Sequence, residues 1–324
     1  MSTDTTDDTT QATGEDFASG QVNRVGDRVF SGMSRGAGIV ILVTLAGVAM
    51  FLIWRALPAL TADPSEIGPG GSEGNGSGFL PYVGTLVFGT VWASIIALLI
   101  AVPFGIAIAL FISHYAPRRL ARTLGYVIDL LAAIPSVVYG LWGIFVLAPA
   151  MAEHVYPWFN EHLGFIPFFS GKVLSSGRSM ATVGLVLAVM ILPIITAISR
   201  EVFLQTPRLN EEAALALGAT RWEMIRIAVL PYGKSGVISG AMLGLGRALG
   251  ETMAVALILA PANVYSFRLF TSQNPNTIAA NIALQFPEST GLEVNTLIAT
   301  GLVLFAITLF VNVMSRRVSR GRVA

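Results

Sequence analysis

Six stretches of this chain, residues 36–57, 83–112, 127–151, 180–198, 237–260 and 292–314, are long and apolar enough to cross a bilayer. A helix needs about 20 residues to span the hydrocarbon, and in lipid its backbone groups must be satisfied within the segment. The pattern therefore predicts an all-α polytopic membrane protein built as a six-helix bundle. Composition points the same way: 54% of the 324 residues are hydrophobic and 12% are charged, and mean hydropathy is +0.70. A water-facing domain carries about 25% charged residues. Cysteine is absent, which excludes disulfides, thiol nucleophiles and thiolate metal sites.

Basic residues set the expected orientation. Arg24, Arg28 and Arg35 precede the first span, and Arg118, Arg119 and Arg122 follow the second. Arg200, Arg208, Arg221, Arg226 and Lys234 follow the fourth, and Arg316, Arg317, Arg320 and Arg322 follow the sixth. The opposite loops carry only Lys172, Arg178 and Arg268. Lysine and arginine accumulate on the cytoplasmic side, so both termini are expected there. Residues 1–20, rich in Thr, Asp, Ser and Gly, read as a disordered cytoplasmic tail, and 21–35 as an amphipathic segment on the membrane surface. Residues 36–315 make the transmembrane domain and 316–324 a basic cytoplasmic tail.

Prolines punctuate the spans. Pro103 predicts a bend in the second, Pro135 and Pro149 disturb the third, and Pro193 kinks the fourth. Such breaks need neighbouring helices or a protein-lined cavity to re-satisfy the backbone, so they suit either a packing kink or a bend beside a path. On the outer side, 152–179 holds His154, Tyr156, Trp158, Phe159 and His162, and 261–287 holds Tyr265, Phe267 and Phe270. Interfacial anchoring, a short re-entrant helix within 152–179, and contact with an extracellular binding protein are the readings of these aromatics.

The longest charged segment between spans is 209–231. Thr206 and Pro207 open a first helix that Gly218 ends. Thr220 with Glu223 three residues later makes a capping-box pattern, which predicts a second helix from Arg221 to about Val229, stopped by Pro231. Glu212, Ala213, Ala214, Gly218, Leu230 and Pro231 resemble the EAA loop of ABC importer permeases. The run 246–255, reading GRALGETMAV, resembles the PstC family of bacterial phosphate importer permeases.

That resemblance implies a non-catalytic subunit forming half of a translocation path. It implies a PstA-like second permease, a PstB-like ATPase dimer that carries ATP and Mg, and a PstS-like phosphate-binding protein. No cofactor is expected on this chain. Its own residues agree with an ATPase on another chain: Gly171-Lys172 lacks the upstream glycine of a phosphate loop, and His114, His154 and His162 have no metal-ligand spacing. A permease for sulfate or molybdate, and a non-transporting sensor or scaffold, remain the alternatives.

Arg247 and Glu251 stand inside the fifth apolar stretch. Charges at such depth almost never face lipid, and i,i+4 spacing puts both on one helix face, close enough to pair. Two readings follow: a structural ion pair to a neighbouring helix, or a lining of the anion path in which the guanidinium attracts an oxyanion and the carboxylate keeps the site weak. The PstC resemblance implies the second. Gly236, Gly240 and Gly244 form consecutive GxxxG steps and Gly246 with Gly250 another, which predicts close helix approach along this span.

Overall fold

The computed structural model describes residues 24–63, 66–67, 78–172, 174–262, 264–271 and 273–320; the predicted tail at 1–20 lies outside them. The chain divides into two compact units, 1–51 and 52–324. The described part of the first is the leading stretch of helix α1 (Arg24–Thr61), with Ile39, Val40, Ile41, Leu42 and Val43 all exposed. An apolar surface all round a helix belongs in lipid. Residues 24–35, expected as a separate surface segment, are the first turns of this same helix.

The second unit is a helical bundle. Helix α2 (Phe79–Leu110) runs on through a π turn, Phe111–Tyr115, and is followed by α3 (Arg118–Ala132) and the long helical run α4 (Ser136–Leu163). Next come α5 (Met180–Leu204), α6 (Arg208–Ala216), α7 (Arg221–Met224), α8 (Leu230–Leu249) and α9 (Met253–Ile258). The last helices are α10 (Ile278–Gln285) and α11 (Leu292–Arg320). A parallel pair of two-residue strands, β1 (Pro261–Ala262) and β2 (Asn274–Pro275), is the only sheet among the described residues.

Among the described residues, five helices have the length and hydropathy to cross a membrane. Two expected spans differ from prediction because the helix breaks within them. The third is divided between α3 and α4 at Pro135, whose missing N–H leaves the Leu131 carbonyl only a tightened bond from the Ile134 N–H at 3.3 Å. The Tyr139 hydroxyl adds a second, shorter bond, donating to Leu131 O at 2.8 Å. The fifth is divided between α8 and α9 by residues 250–252, where Gly250 has little helical preference.

Pro231, expected to stop a helix, shares its setting with three other prolines. Four π turns, Phe111–Tyr115, Gly143–Leu147, Met151–Val155 and Ile225–Val229, are each followed two residues later by a proline: Pro117, Pro149, Pro157 and Pro231. A proline removes a donor and crowds the carbonyl four residues back; widening the preceding turn relieves both. At Pro231 the result corrects the predicted stop. Helical backbone continues from α7 through the π turn into α8.

The core is the seam between α2 and α5, where Ala93, Ala97 and Ala101 meet Val183, Leu187 and Met190. Small residues on α2 let the two backbones approach. On the other side of α5 lies α8. Cβ atoms built at Gly240 and Gly244 would lie 3.3 Å from Ile198 and 3.2 Å from Ile195, and one at Gly236 would run into Val202.

Candidate functional site

At one end of the bundle the segment 209–231 folds as a helix, a sharp turn and a second helix. Helix α6 ends at Ala216, and Gly218 takes φ +84°, a left-handed conformation that glycine adopts without the clash a Cβ brings. Pro207, not Thr206, occupies the position before α6, and the Thr206 hydroxyl is buried without a partner. The capping box at α7 is formed in both directions: the Thr220 N–H donates to Glu223 Oε2 at 2.8 Å, and the Glu223 N–H donates to Thr220 Oγ1 at 3.3 Å. Those bonds from the Thr220 backbone and hydroxyl hold the Glu223 carboxyl below its ordinary range.

This loop is tied down on one side only. Ala214 packs into a cluster with Ala109 and Leu110 of α2, Phe203 of α5, and Met224, Ile225 and Val229. Glu212 and Ala213 are exposed, Leu209 is 75% exposed and Leu217 90% exposed. Leucines this bare on a charged loop are apolar surface left uncovered by the described residues.

The mid-bundle site is built where the two broken spans meet. A Cβ at Gly140, in the first turns of α4, would lie 2.9 Å from the Ala254 Cα of α9, so backbone packs against backbone. Glu251 is buried, and its Oε1 accepts from the Ala254 N–H at 3.0 Å. The carboxylate thus caps α9 at its positive end. At the other end, the Arg178 guanidinium donates to the Leu257, Ile258 and Leu259 carbonyls at 3.3–3.4 Å. A six-residue helix in the middle of the bundle therefore has charged caps at both ends.

That arrangement corrects the expected Arg247–Glu251 pairing. The i,i+4 relation requires an unbroken helix, and α8 ends at Leu249, so Glu251 leaves the face that Arg247 occupies. Among the described residues the ion pairs are His114–Glu211 and His154–Glu153, and neither includes Arg247. Arg247 instead lines an open groove of about 850 Å³ with Ile194, Ser239, Met242, Gly246 and Asn312. Gly246 faces open space, and Gly250 has only the Gly246 carbonyl near where a Cβ would stand, so among the described residues no other helix packs against these two glycines.

A second hollow, about 430 Å³, lies between α2, α10 and α11 and is lined by Glu66, Tyr82, Gln285, Glu288 and Glu293. Its carboxylates give it the wrong sign for an anion, whereas the Arg247 groove offers a cation with no carboxylate among its lining residues.

Sequence reasoning missed the polar packing of 261–287. Residues near its end fold back into the bundle: the Ile278 N–H donates to Thr90 Oγ1 at 2.9 Å, Asn281 Nδ2 donates to the Tyr82 hydroxyl at 2.7 Å, and the Met180 N–H donates to Asn274 Oδ1 at 3.2 Å. The signal was the density of Asn and Thr at 274–281, which a loop at the surface does not require. Tyr265 and Phe267 remain more than half exposed.

Comparison with known proteins bears on the whole chain. Residues 101–323 match the family described as binding-protein-dependent transport system inner membrane component. Phosphate transport system permease protein PstC 2 of Mycobacterium tuberculosis (strain ATCC 25618 / H37Rv) is 45% identical over 310 residues, covering 93% of this chain and 94% of the relative. PstC of Mesorhizobium japonicum (strain LMG 29417 / CECT 9101 / MAFF 303099) is 41% identical over 298 residues, covering 90% and 89%. Among solved structures, a bacterial alginate ABC transporter in complex with its alginate pentasaccharide-bound periplasmic protein has a similar fold, with a TM-score of 0.55 at 19% identity over 90% of this chain and 99% of that one. With the family matched from 101 to 323 and relatives matched along nearly their whole length, the chain belongs to the binding-protein-dependent transport system inner membrane components and, within them, to the PstC permeases.

Proposed function

We propose that this chain forms half of a phosphate-conducting path whose anion-attracting group is Arg247, and that segment 209–231 couples that path to a separate ATPase. The chain is a multi-pass membrane permease subunit, the non-catalytic component of an ABC importer. The observation that carries the path is Arg247 itself: a guanidinium without an ion-pair partner among the described residues, on the open side of a helix whose other side is packed against α5. An unneutralised cation at membrane depth is costly, and an anion passing through relieves that cost only transiently.

A PstA-like second permease closes the groove from the side of Gly246 and Gly250. A PstB-like ATPase dimer, with its ATP and Mg, receives Glu212, Ala213 and the exposed Leu209 and Leu217. A PstS-like binding protein delivers phosphate at the end that bears Tyr265 and Phe267. Both termini, with the basic tail from Arg316, lie in the cytoplasm under the positive-inside rule.

Labelled-phosphate uptake into proteoliposomes holding the whole transporter tests the path, with sulfate and molybdate as competitors. Arg247→Ala is expected to abolish uptake with the complex assembled, and Arg247→Lys to restore only part, because an ammonium lacks the planar fork that holds two oxyanion oxygens. Uptake at the parent rate by an assembled Arg247→Ala transporter overturns the assignment. Coupling is tested in the same vesicles by Glu212→Ala and Gly218→Val, both expected to uncouple hydrolysis from uptake.

A further inference from the structure

We propose that His114 and Glu211 form the tie through which the coupling loop moves α2, which makes them positioning residues for transport. The inference rests on the reading of 209–231 as the ATPase-facing segment and adds a role for the neighbour of Glu212. The two adjacent carboxylates on α6 diverge: Glu212 is exposed, whereas Glu211 turns toward the bundle. Glu211 Oε1 stands 3.4 Å from His114 Nε2, in the π turn that ends α2. His114 Nδ1 in turn lies 2.7 Å from Ser113 Oγ, and Ser113 Oγ donates to the Ala109 carbonyl at 2.8 Å. A chain of polar contacts thus runs from the coupling helix into the backbone of α2. The His114 side chain is 9% exposed and that of Glu211 24%, so the contact is partly shielded from solvent.

The alternative link between loop and bundle is the apolar cluster around Ala214, Ala109 and Leu110. Apolar contact is non-directional, so two surfaces that meet only in this way slide past each other at little cost. A polar contact with defined partners is directional, and it fixes register between α6 and α2. Helix α2 is packed along α5, and Ile194 of α5 lines the Arg247 groove. Displacement of the loop therefore has a short physical route to the path.

The measurement is phosphate imported per ATP hydrolysed by the full transporter in proteoliposomes. His114→Leu keeps the buried volume and removes both polar contacts; His114→Gln keeps an amide able to reach Glu211. Leucine is expected to lower the ratio roughly fivefold, as interaction energies between contacting residues allow, and glutamine to stay near the parent. Glu211→Gln combined with His114→Leu is expected to fall no further than His114→Leu alone. Equal ratios for His114→Leu and His114→Gln, or losses that multiply in the double variant, overturn the tie. So does loss of the ATPase from the purified complex in His114→Leu and in Glu211→Gln alone, since the contact would then serve docking. The docking reading itself is decided separately by Glu212→Ala, which leaves the His114–Glu211 contact in place.

Discussion

Glu251 accepts a hydrogen bond from the Ala254 N–H at 3.0 Å and makes no pair with Arg247, although the two charges are four residues apart. The consequence is a separation of roles. Glu251 satisfies the start of α9, and Arg247 is left to face the groove.

Substitutions at the two positions should therefore fail in different ways. Glu251→Ala removes a helix cap and is expected to destabilise the subunit by about 1 kcal/mol, seen as a lower unfolding temperature of the detergent-solubilised complex. Glu251→Gln retains the accepting oxygen and is expected to unfold near the parent temperature. Arg247→Ala should leave unfolding unchanged while uptake is lost. A matching loss of thermal stability in Arg247→Ala would mean that Arg247 is held by a partner and is not free in the groove.

Much of the fold was legible because it depends on runs and local chemistry. Hydropathy located five of the six expected spans, the glycine at 218 marked the end of the first loop helix, and the Thr220–Glu223 spacing identified a capping box that is formed. What was illegible depends on where a helix breaks. A proline forbids one helical hydrogen bond and so predicts a stop at Pro231, yet a π turn ahead of it absorbs the defect. The Arg247–Glu251 spacing implied a pair only if the helix continued, and the break at 250–252 removes that condition. Arg178 capping α9 across 80 residues of sequence has no local signature at all.

The break at Pro135 yields a second prediction. Tyr139→Phe deletes the hydroxyl that serves the Leu131 carbonyl and is expected to cost about 1 kcal/mol, a typical hydrogen-bond contribution. Pro135→Ala restores a backbone N–H that can reach the same carbonyl. In that background Tyr139→Phe should cost less. Equal costs in both backgrounds, by thermal unfolding, would show that the hydroxyl and the proline are unrelated.

Acid should loosen the coupling loop at α7. The folded Glu223 carboxyl is held below its ordinary value of 4.5 by the Thr220 backbone and hydroxyl. A lowered folded-state value means that the cap is fully present above the ordinary range and is lost as pH falls through the folded value. Hydrogen exchange at the Thr220 and Glu223 amides is expected to accelerate over that acid window beyond the intrinsic pH trend. Glu223→Gln should remove the pH-dependent part, and an identical profile in the variant would exclude the carboxylate as its source.

Glycines on the two sides of α8 should differ in what they tolerate. Gly236 and Gly244 face α5, and a leucine at either forces side chains apart, which typically costs about 1–3 kcal/mol of stability. Gly246 has nothing within 4 Å of where a Cβ would stand. Gly246→Leu should therefore leave the isolated subunit as stable as the parent, apart from the gain in helix preference on losing glycine. In the assembled transporter the expectation reverses, because the proposed second permease closes the groove on that side and a leucine would stand between the subunits. Co-purification of a tagged Gly246→Leu chain with its partner permease is the measurement, with Gly236→Leu as the control that damages the fold itself. A parent-like yield of the partner with Gly246→Leu would move the subunit interface away from this face of α8, and with it the idea that the Arg247 groove is closed by a second chain.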